Sequence, residues 1–98
     1  MNKDAILAHL RANEADLRAR GVMHAALFGS RARGDGRPDS DIDIMIDFDS
    51  DAVRDVYAYA GLKLFIASLF EEPVDVVNRR CLKPYVRPNA TADAVYAF

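Results

Sequence analysis

Helical and strand periodicities alternate along these 98 residues, which predicts an α/β (α+β) domain. Three stretches carry that reading. Residues Asn2–Arg20 place Ile6, Leu10 and Leu17 at helical spacing, with Leu7 beside them, opposite a charged face. Asp41–Phe48 reads as an alternating strand: Ile42, Ile44, Ile46 and Phe48 share one side, and Asp41, Asp43 and Asp47 the other. Leu62, Phe65, Ile66 and Leu69 form an i, i+3, i+4, i+7 stripe inside a second helical segment.

The first helix reads as the cover of one sheet face. Asn2 and Asp4 suit its start and Gly21 its C-cap, and His9 is expected at the surface. Val22–Phe28 is a short apolar run, expected as a buried strand. Gly29 and Ser30 break it, and Ser30–Arg33 begins a helical turn whose backbone N–H groups and hydroxyl can face an anion. Gly34 to Ser40 spells out a loop rich in Gly, Asp and Pro. After the alternating strand, Asp49–Ser50 ends it and Asp51–Phe70 is expected to be helical in two parts around Gly61. Glu71-Glu72-Pro73 is a turn. Val74–Val77 is a third strand, with Val74 and Val76 on one face and Asp75 and Val77 on the other. Pro84 and Pro88 allow only short or kinked helix in the last part, with one turn expected over Ala90–Ala94. Cys81 reads as a packed thiol. Val95–Phe98 reads as a terminal edge strand or a tail on a partner.

Length fits one domain spanning residues 1–98. The formal charge of −2 gives no overall field toward nucleic acid, which is not expected as a partner. The single cysteine excludes an internal disulfide and fits a cytoplasmic protein. The first twenty residues are too charged for a signal peptide or a membrane span. Leu64 and Phe70 fall outside the core stripe of the second helix, and Val56, Tyr57 and Tyr59 lie upstream. That apolar surplus suits either a crowded core or a surface in the 56–70 region for a partner or a homo-oligomer.

Asp41, Asp43 and Asp75 sit on two strands, and a Gly-Ser turn precedes the first pair. An acid inside an apolar strand is seldom placed there unpaired, so Asp75 needs either a metal or an arginine such as Arg79 or Arg80. Three converging carboxylates make a hard oxygen site suited to Mg²⁺ or Mn²⁺. Two such ions can clamp an in-line nucleotidyl displacement. In that scheme Asp41 and Asp43 bridge the metals and Asp75 completes the ion nearer the nucleophile. Gly29 and Ser30 hold the terminal phosphates of the donor, and Arg31 or Arg33 adds charge stabilisation. Arg37 remains a solvated loop charge.

Phe28-Gly29-Ser30-Arg31-Ala32-Arg33-Gly34, Ser40-Asp41-Ile42-Asp43-Ile44 and Val74-Asp75-Val76-Val77 together resemble the minimal nucleotidyltransferases of the DNA polymerase β-like superfamily. The resemblance implies a small mixed β-sheet with helices packed mainly on one side. It implies Asp41, Asp43 and Asp75 as catalytic, metal-binding carboxylates, and Gly29 and Ser30 as nucleotide contacts. Members of this size resemble the antitoxin half of MNT–HEPN toxin–antitoxin pairs, of the type VII kind. That implies transfer of AMP from ATP to a tyrosine of a HEPN ribonuclease toxin. Leu64, Phe65, Ile66 and Ala67 depart from the family pattern, which is more charged there. Two other functions compete: a toxin-binding module with a vestigial nucleotide site, and nucleotide transfer to a small molecule.

Overall fold

The computed structural model describes residues 2–34, 41–79 and 94–98. In chain order the elements are α1 (Lys3–Ala12), α2 (Glu14–Ala19), β1 (Val22–Phe28), α3 (Ser30–Arg33), β2 (Ile42–Phe48), α4 (Val56–Ser68), β3 (Val74–Asn78) and β4 (Val95–Tyr96). The strands form one mixed sheet in the order β3-β2-β1-β4. β1 runs antiparallel to β2 and to β4, whereas β2 and β3 are parallel and α4 carries the crossover between them.

One face of the sheet is core. Ile42, Ile44 and Ile46 pack with Leu27, Val76 and the helix residues Ile6, Leu10, Leu17, Leu62 and Ile66, all buried. Met23 is an extra residue in β1 relative to β2: Val22 pairs with Phe48, and His24 with Asp47. This bulge lets Val22 and Ala25, three positions apart, both reach the core. The other face holds Asp43 and Asp47 of β2, with Met45 between them. Met45 is buried with its cross-strand partner Ala26, and both lie outside the main core cluster.

The first helix is two. The Asn2 side chain caps α1 by accepting from the Ala5 N–H at 2.8 Å, as its sequence suggests. At Asn13 the backbone leaves the helical region (φ −105, ψ 12), and the side-chain amide donates to the His9 carbonyl at 2.9 Å. An asparagine competes with the backbone in this way, and the helix restarts beyond it. Gly21 takes φ +101 beyond the helical residues, and a Cβ there would lie 2.8 Å from that of Ala52. His9 is only partly at the surface. Its Nε2 lies 2.5 Å from the Leu69 carbonyl, and its ring meets Phe70 edge-on at 5.2 Å.

The second helical segment is shorter than expected and undivided. Asp55 caps it, accepting from the Ala58 N–H at 2.8 Å, and residues 51–55 are turn and bend. α4 runs straight through Gly61. A mid-helix glycine costs about 1 kcal/mol, less than burying Leu62 and Ile66 returns. Phe65 is half-buried beneath the Arg20 guanidinium, 3.7 Å from its ring centroid. Val95–Tyr96 is an edge strand, as expected. The Ala97 N–H donates to the Ala25 carbonyl at 2.8 Å, and Arg11 Nε donates to the Ala97 carbonyl at 2.8 Å. Arg37, Arg80, Cys81, the two tail prolines and the turn expected near Ala90 lie outside the described residues. Among the described residues no helix is long and apolar enough to cross a membrane.

Candidate active site

The acid-bearing face of β2 lies at the end of β1 where the Gly-Ser turn begins. Phe28 pairs with Asp43, and Asp43 pairs with Asp75 across the parallel β2–β3 ladder. Side chains at paired positions project from the same face, so the two carboxylates are neighbours although 32 residues apart in sequence. Asp41 is exposed, two residues before Asp43, just ahead of the point where the Ile42 N–H donates to the Pro73 carbonyl at 2.9 Å. Burial, together with the Asp75 and Asp41 carboxylates, pushes the Asp43 carboxyl above its ordinary value. The Arg33 guanidinium pulls it the other way. The three predicted acids therefore act on one another across two strands.

Gly29 is pressed against this cluster. Its backbone (φ 75, ψ −156) lies in a region open to glycine alone. A Cβ there would stand 2.5 Å from Asp43 Oδ2 and 3.3 Å from Asp43 Cγ. The backbone turn thus demands glycine, and a Cβ there would also have to displace the Asp43 carboxylate. The Gly29 carbonyl accepts from the Ala32 and Arg33 N–H groups, both at 3.1 Å. That turn is α3, and it leaves the N–H groups of its first residues outside the helical ladder.

The two arginines of the turn differ. Arg31 is largely buried and its Nη2 donates to Glu72 Oε1 at 2.8 Å, tying the turn to the segment before β3. Arg33 is exposed and is the cation that acts on Asp43. Asp75 is exposed. The arginine expected as its structural partner, Arg79, faces Asp47 instead, Nη1 to Oδ2 at 3.8 Å. Among the described residues no group of three acidic, histidine or cysteine side chains is already arranged to hold a metal ion.

Sequence reading missed one neighbouring feature. Farther along the same sheet face, a cavity of about 400 Å³ is lined by His24, Asp47, Arg79, Tyr96 and Phe98. Asp47 was visible as the third acid on its strand face. Its companions come from β1 and from residues at the ends of β3 and β4, which no local spacing brings together.

Comparison with known proteins agrees with this geometry. The family described as "Nucleotidyltransferase domain" matches residues 11–97. The protein adenylyltransferase MntA of Thermococcus cleftensis is 32% identical over 88 residues, covering 89% of this chain and 87% of that protein. A solved structure named for a candidate minimal nucleotidyltransferase superposes with a TM-score of 0.78 at 32% identity, covering 97% of this chain and 95% of the other. A toxin–antitoxin complex with AMP-PNP has the same fold, with a TM-score of 0.70 at 23% identity, over 90% of this chain and 72% of that one.

Proposed function

Because the chain belongs to the nucleotidyltransferase domain family, we propose that it is the adenylylating antitoxin of a toxin–antitoxin pair, transferring AMP from ATP to a tyrosine of a HEPN ribonuclease and silencing it. The observation that carries this reading is the pairing of Asp43 with Asp75 across parallel strands, with Asp41 in electrostatic reach and the Gly29 backbone packed on Asp43. Its relatives support the protein acceptor: MntA of Thermococcus cleftensis is named a protein adenylyltransferase. One chain of the same fold comes from a complex of tri-AMPylated Shewanella oneidensis HEPN toxin with MNT antitoxin.

The donor set fits Mg²⁺ or Mn²⁺. It consists of hard carboxylate oxygens, and the Asp43 carboxyl is raised first by burial and then by the Asp75 and Asp41 carboxylates, all of which a cation beside it would offset. Two ions held by Asp41, Asp43 and Asp75 would acidify the attacking hydroxyl and neutralise the nucleotide phosphates. The chain's own residues do the rest. The Gly29–Ser30 backbone and the Ser30 hydroxyl bind the terminal phosphates of ATP. Arg33 adds positive charge beside them, while Arg31 holds the turn in place through Glu72. The tyrosine oxygen bonds to the α-phosphorus as the bond to the β-phosphate oxygen breaks. Pyrophosphate leaves, and the phenolic proton passes to Asp75.

Incubation with labelled ATP, Mg²⁺ and the HEPN partner tests this directly. Label is expected on the partner, lost with chelator and lost when Asp41→Ala is combined with Asp43→Ala. Equal labelling by that double variant rejects the catalytic role. Neutralisation of the toxin without labelling instead favours the binding-module alternative.

A further inference from the structure

The Gly-Ser turn and the acid cluster are held by different means. Asp43 and Asp75 stand on a ladder whose other side is core: Ile42, Ile44 and Val76 are all buried. α3 has four residues and buries only Ala32. Four residues are too few for a helix to hold itself, so the turn needs an anchor outside itself. Glu72 supplies one. Its carboxylate accepts from Arg31 Nη2 at 2.8 Å, and the Arg31 side chain is only 10% exposed. Glu72 is also suited to be the fixed end. The next residue is Pro73, whose ring locks φ and whose carbonyl accepts from the Ile42 N–H at 2.9 Å. Ile42 lies between Asp41 and Asp43, and it pairs with Val74 where the β2–β3 ladder begins.

We infer that Glu72 is a positioning residue for the donor nucleotide: through Arg31 it carries the rigidity of the β2–β3 ladder to the Gly29–Ser30 turn, and so sets the affinity for the donor's phosphates. The inference rests on the nucleotidyltransferase reading and names what tunes that same site. Two roles for Arg31 predict opposite signs. Were Arg31 a phosphate ligand, the Glu72 carboxylate would compete for it and repel the same anion, so removing Glu72 would strengthen nucleotide binding. With Arg31 as a strut, removing Glu72 loosens the turn and weakens binding. The geometry favours the strut. Arg31 is largely buried in a short charge-assisted bond, whereas Arg33, exposed two residues on, is the cation placed to meet an anion. The acids keep their places without this tie, because the buried face of β3 sets the register. Its loss is therefore felt at the turn and not at the acids.

The test reads the sign. Binding of a non-hydrolysable ATP analogue with Mg²⁺ is measured by calorimetry for Glu72→Ala, Glu72→Gln and Glu71→Ala. Mn²⁺ binding without nucleotide is measured separately by electron paramagnetic resonance. Glu72→Gln keeps an oxygen for Arg31, and Glu71 is the exposed neighbouring acid that controls for the loss of one negative charge. Glu72→Ala should weaken analogue binding about tenfold, as is usual when the support of a binding group is removed. Glu72→Gln should weaken it less and Glu71→Ala not at all, with Mn²⁺ affinity unchanged in all three. Parental or tighter analogue binding by Glu72→Ala overturns the inference. So does an equal loss of Mn²⁺ and analogue binding, which would mean that the acid cluster itself had moved. Melting temperatures show which variants are folded, and if Glu72→Ala is not, Glu72→Gln decides by the same signs. If the parent binds the analogue but transfers no AMP to a HEPN partner, the function reading fails while weakened binding in Glu72→Ala still upholds the positioning role. If the parent binds no nucleotide, both fail.

Discussion

The two faces of β2 are built from the same seven residues and obey opposite rules. Ile42, Ile44 and Ile46 are wholly buried and gain from every neighbour they touch. Asp43, one residue away on the other face, is half-buried beside like charges, which raises its carboxyl. One face is assembled for stability. The other holds charge against its own electrostatic preference, which is typical of functional sites. A strand with period two can keep the two apart at single-residue spacing.

The largest effect expected from breaking this contrast is on the core side. Ile44→Ala should cost about 2–5 kcal/mol by chemical denaturation. Asp43→Ala should leave the melting temperature equal or higher while abolishing AMP transfer. If Asp43→Ala destabilises as much as Ile44→Ala, the division of labour between the faces is wrong.

Gly29→Ala comes next. The alanine must adopt a glycine-only backbone and displace the Asp43 carboxylate, so about 1–3 kcal/mol should be lost together with activity. Adding Asp43→Ala should return the part of the stability due to the clash and none of the activity. No recovery at all would assign the whole cost to the backbone.

A smaller loss of stability is expected for Arg31→Ala, which leaves Glu72 without that partner. A double-mutant cycle with Glu72→Gln measures the coupling. Coupling near zero would mean that Arg31 is held by its other contacts.

The smallest effect is a pH dependence. The folded-state carboxyl of Asp43 lies above its unfolded value of 3.8. Folding is therefore penalised once pH exceeds the raised folded value, and the penalty disappears as pH falls through it toward 3.8. Without metal, Asp43→Asn should be more stable than the parent at neutral pH, and the difference should vanish below the unfolded value. A gain that persists in acid would point to packing instead of charge.

The contrast also explains what could be read before the structure was seen. Both faces of β2, the buried residues of the first helices, the Gly-Ser turn and the parity of Val74–Val77 follow from local periodicity. The misreadings have non-local causes. His9 looks like a surface residue because its partners, Leu69 and Phe70, lie sixty residues away. Gly61 looks like a break because intrinsic propensity favours one, and packing of Leu62 and Ile66 overrides it. Asn13 divides the first helix by a side-chain hydrogen bond that hydrophobic spacing does not reveal. At the site, the acids were legible from residue type and strand parity. The different roles of Arg31 and Arg33 were not, because Glu72 lies in a distant turn.

The parallel ladder between β2 and β3 has a further consequence. Asp43 meets Asp75 only in the register that also puts Ile44 opposite Val76. A slip of one residue would bury Asp75 and expose Val76, which the core forbids. The apolar pattern of the edge strand thus acts as the alignment gauge of the acid cluster. Lengthening Glu71-Glu72-Pro73 by one residue should therefore leave Asp43 opposite Asp75, because the buried face of the strand and not the turn sets the register. An intact acid cluster is therefore evidence that the crossover has closed in the correct frame.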